Sequence, residues 1–171
     1  MKKQILISSM YLLSAIMLVN AQGTGLPDVP LFTLDGTEIS TSSIKNDGMP
    51  MIMTFWKTYE NDCCDQLIQL CNVYNQILKH QGVKMVAVCI DGKGCSQHVK
   101  PFVNGHDINI DVYIDKNGDL KRAMGVSDAP YNVLFDQDMK IYCRHAGSCS
   151  SIEDMVCQKV NECLAAMNKT K

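Results

Sequence analysis

Residues 51–67 read MIMTFWKTYENDCCDQL and join a short apolar run to a pair of adjacent cysteines, Cys63 and Cys64. The first six residues follow Gly48-Met49-Pro50, and an apolar run bounded in this way is typical of a central β-strand. Over residues 63–80, apolar side chains recur with the i, i+3, i+4, i+7 spacing of one helical face. These apolar residues are Leu67, Leu70, Cys71, Tyr74, Ile77 and Leu78. The pattern predicts a strand that leads into a helix beginning at the cysteines.

The neighbouring segments extend this unit into an α/β fold. Residues 83–90 (VKMVAVCI) predict a second buried strand, and Gly82 before them suits a left-handed helix cap. Strand, helix and strand in this order form a right-handed βαβ unit. Further strands are predicted at residues 30–34 and 111–115, a hairpin at 131–135 and 139–145, and helices at 95–103 and from 150 onward. We expect a central mixed β-sheet with helices on both faces.

Length and composition indicate one exported domain. The 171 residues carry a formal charge of −2 and no basic run, which gives no support for nucleic-acid binding. Lys2 and Lys3, an apolar run too short to span a bilayer, and Ala21 match a signal peptide at residues 1–21. An uncleaved N-terminal anchor is the alternative. Cleavage leaves a domain at residues 22–171 with no stable membrane insertion, located in the periplasm or otherwise exported.

The cysteine content is high for a domain of this size. All nine cysteines lie beyond the signal peptide, and the odd count leaves at least one free thiol or one intermolecular disulfide. Cys71, Cys89 and Cys163 fall on predicted core faces and are expected to be small buried apolar residues. A Cys89–Cys95 bridge is one further pairing that the spacing allows. Cys157, at the edge of the last helix, could pair with Cys143 on the last strand or stay free.

Four segments of the chain follow one another in a specific order and spacing: VPLFTLDGTEISTSSI, MIMTFWKTY, GVKMVAVCID and YIDKNGDLKRAMGVSDAPYNVLFDQDMKIYCRHAG. Together they resemble the thioredoxin-like superfamily, in its exported TlpA/ResA-like branch of thiol–disulfide oxidoreductases. The resemblance implies a cis peptide bond before Pro130, facing the active-site cysteines. It also implies protein thiols, protein disulfides or an extended peptide as partners, and no cofactor. Residues implied in substrate binding are Trp56, Tyr59, Glu60, Ala129 and Pro130.

The chain departs from the family pattern at the active site. Members carry Cys-x-x-Cys at the start of this helix, and Leu67 sets the alignment so that Cys63 matches the second cysteine. Glu60 stands where the family has its nucleophile. A carboxylate cannot exchange with a disulfide, because the attacking group must be a thiolate. The sequence therefore leaves open whether other cysteines carry the chemistry.

Cys64 and Cys149 are the candidates to replace the missing nucleophile. Cys64 lies in the first helical turn, which favours a thiolate, whereas Glu60, Asp62 and Asp65 nearby disfavour it. A hairpin closed by a two-residue turn at Gln137-Asp138 would bring Pro130 near His145 and Cys149 near the same rim. A Cys63–Cys149 or Cys64–Cys149 disulfide is then allowed, either as a displaced redox pair or as a structural bridge.

Two other functions remain as alternatives. The first is a non-catalytic module that binds a peptide or protein in the groove beside Pro130 and keeps structural disulfides. The second is a Cu(I) site formed by Cys63, Cys64 and a histidine, although adjacent cysteines rarely supply two ligands to one ion. Residues 115–119 (DKNGD) lack the bidentate glutamate of a calcium loop and are interpreted as a turn. No metal site is therefore predicted.

Overall fold

The computed structural model describes residues 25–92 and 96–169, and the predicted signal peptide and Cys95 lie outside these ranges. In the described ranges the strands are β1 (Pro30–Thr33), β2 (Glu38–Ser40), β3 (Met51–Trp56), β4 (Lys84–Cys89), β5 (Asp111–Ile114), β6 (Tyr131–Phe135) and β7 (Ile141–Ala146). The α-helices are α1 (Asn61–Gln76), α2 (Ser96–Gly105), α3 (Asp119–Ala123) and α4 (Ile152–Lys169). None of these helices is both long and apolar enough to cross a membrane.

The strands form one mixed sheet in the order β2-β1-β5-β4-β3-β6-β7. Strands β3, β4 and β5 are parallel to one another, and β6 runs antiparallel to β3. The predicted βαβ unit is β3, α1 and β4, and the α/β class is confirmed. Because β3 lies inside the sheet and all six of its residues are buried, its sequence is apolar rather than alternating.

Two hydrophobic cores cover the two faces of the sheet. One contains Ile52 and Trp56 of β3 together with buried residues of α1, α2 and α4. The other contains Met51, Met53 and Phe55 with Leu120 of α3. Full burial of a large apolar side chain stabilises a fold by about 1.5–3 kcal/mol, so these layers dominate the packing energy. Cys71, Cys89 and Cys163 are buried, as predicted.

The helix predicted over residues 63–80 is interrupted. Helix α1 starts at Asn61 and ends at Gln76, and a separate 3-10 turn follows at Leu78–Gln81. Ile77 between them has a non-helical backbone and is 44% exposed, so its assignment to the buried face was wrong. Gly82 adopts the predicted left-handed conformation, with φ +76°.

The register of the terminal hairpin differs from the prediction. Tyr131 pairs with Ala146, and the N–H of Gly147 donates to the carbonyl of Pro130 at 2.8 Å, so Pro130 lies opposite Gly147 rather than His145. Two local features cause the shift. Met139 takes a left-handed backbone after the turn, and the ladder is irregular between Leu134 and Phe135. Each feature lengthens one strand relative to the other, which moves every later pair.

Candidate functional site

The candidate site lies where β3 ends and α1 begins. The loop between them contains Lys57, Thr58 and Tyr59, and Glu60 is the N-cap residue of α1. Because Phe55 pairs with Tyr131 on β6, the next residue pair along the ladder brings Pro130 beside Trp56. The Ala129–Pro130 peptide bond is cis, as predicted. The structure therefore brings the cysteine-bearing helix start and the cis proline to one edge of the sheet.

Lys57 connects the two walls of this site. Its ammonium Nζ lies 2.6 Å from Glu60 Oε1 at the helix start and 2.6 Å from Asp128 Oδ1 in the loop before Pro130. The Lys57 side chain is only 10% exposed. Burial disfavours its charged form, but hydrogen bonds and charge from Asp128 and Glu60 outweigh burial and raise the pKa of Lys57 above its usual value. Lys57 is therefore a cation held between two carboxylates.

Sequence reasoning did not identify Lys57 or Asp128 as site residues. A lysine directly after an apolar strand is usually a surface residue, and Asp128 lies in a polar turn. The only available signal was the position of Asp128 two residues before the predicted cis proline. Their contact joins segments that are far apart in the chain.

Cys63 is a buried thiol beside Glu60. It is 1% exposed, and its Sγ donates a hydrogen bond to Glu60 Oε2 at 3.4 Å. Burial, together with the hydrogen bond and negative charge of Glu60, raises the pKa of Cys63 to about 12. Cys63 is therefore protonated at neutral pH and is a poor nucleophile in this conformation.

Cys64 is partly exposed but lies in an unfavourable electrostatic setting. Its Sγ lies 3.5 Å from the carbonyl oxygens of Lys57 and Thr58. Asp91 Oδ2 accepts hydrogen bonds from the backbone N–H of Thr58 at 3.0 Å and from the Thr58 hydroxyl at 2.5 Å. These bonds anchor the loop between β3 and α1. Burial, then the negative charges of Asp65 and Asp91, raises the pKa of Cys64 above its usual value. The protonated thiol is therefore the favoured form of Cys64 near neutral pH.

Cys149 lies against α1, the helix that carries the adjacent cysteines Cys63 and Cys64. Its backbone N–H donates to the buried Gln66 side chain, at 3.2 Å from Oε1, and Gln66 lies one helical turn beyond Cys63. Together with Asp62, Asp65 and neighbouring residues, Cys149 lines an open cleft of about 280 Å³. Cys63, Cys64 and Cys149 are all unbridged thiols in this structure.

The residues implied in substrate binding differ in their accessibility. Tyr59 is 68% exposed and Ala129 is partly exposed, whereas Pro130 is buried. Trp56 is fully buried and packs on Phe102 with ring centroids 5.0 Å apart. A contact between Trp56 and a substrate stays a prediction, and in this structure the Trp56 ring is buried rather than exposed. By packing on Phe102, Trp56 supports the loop between β3 and α1.

Within residues 25–92 and 96–169, no three His, Cys, Asp or Glu side chains cluster closely enough to hold a metal ion. The DKNGD segment forms a turn, in which Gly118 N–H donates to the carbonyl of Asp115 at 3.2 Å. Asp115 Oδ2 accepts a hydrogen bond from the N–H of Lys121 at 2.7 Å and so holds the first turns of α3. This carboxylate has a structural role in the chain.

Comparison with known proteins identifies the relatives of this chain. Residues 23–144 match the family model described as AhpC/TSA family. "Thiol-disulfide oxidoreductase ResA" of Bacillus thuringiensis is 29% identical over 119 residues, which are 70% of this chain and 66% of that protein. The protein of the same name from Bacillus subtilis is 26% identical over 71% of this chain and 65% of its own length. The matched segment thus spans just under two thirds of these relatives.

Solved structures show the same fold. An uncharacterized thioredoxin-like protein from Porphyromonas gingivalis superimposes with a TM-score of 0.71 and 36% identity, covering 80% of this chain and 90% of that one. A secreted Mycobacterium tuberculosis disulfide oxidoreductase has a TM-score of 0.63 and 18% identity, covering 78% of this chain and 95% of that one. The second likeness concerns the fold alone. Together they confirm the resemblance to thioredoxin-like proteins that the sequence motifs indicated.

Proposed function

The chain belongs to the AhpC/TSA family, and from that premise we propose that it is an exported thiol–disulfide oxidoreductase acting on protein thiols or disulfides. A signal peptide at residues 1–21 would direct export, leaving the thioredoxin-like domain at residues 22–171. The family match and the excess of cysteines support this assignment. The ResA relatives are named as thiol-disulfide oxidoreductases, which is the activity proposed for this chain.

The observation that carries the proposal is the position of Cys149 beside the start of α1. Gln66 holds the Cys149 backbone one helical turn from Cys63, on the helix that also carries Cys64. In the proposed reaction, a thiolate of Cys63 or Cys64 attacks one sulfur of a substrate disulfide, and the other substrate sulfur leaves and takes a proton. Cys149 then attacks the mixed disulfide. Two electrons and two protons pass from the protein dithiol to the substrate.

An insulin-reduction assay with dithiothreitol tests this function. We expect measurable acceleration over dithiothreitol alone, and a loss of most of that acceleration in Cys64→Ser and Cys149→Ser. Cys157→Ser is the matched control, because Cys157 is a partly exposed thiol on α4 outside the cleft. A wild-type rate equal to that of dithiothreitol alone would contradict the proposal.

The raised pKa of Cys64 predicts slow, strongly pH-dependent reactivity. Since a pKa above the usual value leaves the thiol mostly protonated at neutral pH, the rate of Cys64 alkylation by iodoacetamide should rise about tenfold between about pH 7 and about pH 8. Asp65→Asn should increase the rate near neutral pH, because the Asp65 charge raises this pKa. Asp62→Asn is the control and should leave it unchanged. Mass-spectrometric peptide mapping measures each rate, and a pH-independent rate would refute the electrostatic argument.

The bridge made by Lys57 favours a second candidate function, a non-catalytic module that binds an extended peptide beside Pro130. Lys57 holds the two groove walls together, and Glu60 cannot exchange with a disulfide. Carbamidomethylated insulin B chain, which has no thiol, is a suitable probe. Under this alternative the probe should shift the amide NMR signals of Tyr59 and Ala129 while the protein shows no turnover. Turnover without such binding would exclude it.

A further inference from the structure

A second group of chemically reactive side chains lies away from the α1 site, in a small cavity between the sheet and α4. Cys143 and His145 of β7, Met155 of α4 and Asn132 of β6 contribute to its lining, and five aliphatic residues complete it. The space open to the centre of a water-sized sphere is about 20 Å³. A single small guest fits such a cavity, because a water-sized sphere needs roughly 10–15 Å³.

Three polar side-chain atoms on residues that line this cavity have no hydrogen-bond partner among the described residues. Asn132 is 5% exposed, and neither its Oδ1 nor its Nδ2 makes a hydrogen bond to another described residue. The Nε2 atom of His145 is likewise buried without a partner in the described ranges. Buried polar groups are nearly always paired, so these atoms leave room for a partner that the described side chains do not supply.

Three donors suited to a soft metal ion line the same cavity. Cys143 and His145 are two residues apart on β7, so their side chains leave the same face of the strand about 6.6 Å apart at the backbone. Met155 of α4 lines the cavity with them. Asn132 pairs with His145 across the β6–β7 ladder and borders the same space. Two elements thus supply a thiol, an imidazole nitrogen and a thioether.

We propose that this cavity is a Cu(I) site in which Cys143 Sγ, His145 Nε2 and Met155 Sδ bind the ion. Thiolate and thioether sulfur select soft monovalent copper, and imidazole is a suitable third ligand. The aliphatic lining makes net charge costly, and one thiolate neutralises one monovalent ion. A divalent ion would leave a positive charge in this lining, and Zn²⁺ would require a fourth ligand. This site is separate from the Cys63 and Cys64 pair considered from the sequence.

Binding at this site must displace the thiol proton of Cys143. Burial is the main cause that raises the pKa of Cys143, while Lys159 lowers it and Glu162 raises it. The thiol is therefore protonated before the ion arrives, and each bound ion should release one proton to solvent. The reaction involves no change of oxidation state, since Cu(I) enters and remains Cu(I).

Silver(I), a redox-stable monovalent probe, tests the site by NMR of the four histidine side chains. Titration of the reduced protein should shift the Nε2 signal of His145, while the signals of His80, His98 and His106 remain in place. Cys143→Ser should abolish the shift, and Cys157→Ser should retain it. A His145 signal that does not move at saturating silver, as expected for a cavity that holds only water, would overturn the proposal. So would a shift that survives in Cys143→Ser.

Competition with bicinchoninate for Cu(I) provides a second readout that does not depend on the Cys143 variant. His145 is partly exposed, so His145→Gln is expected to fold. This variant and Met155→Leu should each weaken Cu(I) retention at the site at least about tenfold, because each removes one of three ligands. His98→Gln is the matched control. Equal retention by wild type, His145→Gln and Met155→Leu would show that copper is held elsewhere.

Discussion

Glu60→Cys is expected to increase dithiothreitol-dependent insulin reduction about 100-fold near pH 7, because it places a thiol where a thiolate is favoured. A cysteine at a helix N-terminus beside a lysine ionises with a pKa of about 7 or below, whereas burial and the charges of Asp65 and Asp91 raise the pKa of Cys64 and leave its thiol mostly protonated at pH 7. The introduced thiol would thus be mostly thiolate. Parallel assays of the purified wild type and variant measure the ratio.

The geometry around Glu60 supports this expectation. Glu60 is the N-cap residue of α1 and has extended backbone angles, φ −110° and ψ 113°. Lys57 Nζ lies 2.6 Å from its carboxylate and would become the counter-ion of a thiolate. Cys63 Sγ already lies 3.4 Å from Glu60 Oε2 and would be the resolving thiol. If Glu60 replaces the exchanging cysteine, as the motifs predict, the site keeps a lysine and a thiol beside that position.

Two control variants separate chemistry from structural effects. Glu60→Ser introduces a similarly small side chain without a sulfur and should show only the wild-type rate. Glu60→Cys combined with Cys63→Ala should lose the gain under multiple turnover, because no neighbouring thiol can resolve the mixed disulfide. If Glu60→Ser accelerates the reaction as much as Glu60→Cys, the gain does not come from the new thiol, and the assignment of position 60 is wrong.

Trp56→Ala is expected to lower the free energy of unfolding by about 3–5 kcal/mol, the usual cost of truncating a fully buried aromatic residue. Trp56 is 0% exposed and packs against Phe102 beneath the site loop. Its removal leaves a cavity between β3 and α2 that rigid neighbours fill only in part. Urea unfolding followed by far-UV circular dichroism measures the change without relying on tryptophan fluorescence.

Trp56→Phe distinguishes support of the site from contact with a substrate. It keeps an aromatic ring against Phe102 and should lose much less stability than Trp56→Ala. If Trp56 only supports the site loop and does not touch the peptide, Trp56→Phe should bind carbamidomethylated insulin B chain as the wild type does. A stable Trp56→Phe protein with strongly weakened peptide binding would show that Trp56 reaches the groove after all.

The local pattern was sufficient to predict the central unit. Apolar runs and helical periodicity predicted β3, α1 and β4, because full burial of a strand and one-sided burial of a helix each leave a distinct period in the sequence. The family motifs predicted the cis bond before Pro130, which the structure confirms. The assignment of Glu60 to the position of the first cysteine stays a prediction. Hairpin register was predicted wrongly, since a left-handed residue at Met139 and an irregular pair at Leu134 leave little trace in the sequence.

The sequence alone specified the fold class, and it predicted the place of the site and its altered residue, because each depends on neighbours within a few turns of the chain. Only the tertiary structure joined Lys57 to Asp128, buried the Trp56 ring against Phe102 and placed Cys149 against α1. It also brought Cys143, His145 and Met155 around one cavity. These contacts join segments that are distant in sequence, so they are set by sheet register and helix packing, which no local pattern encodes.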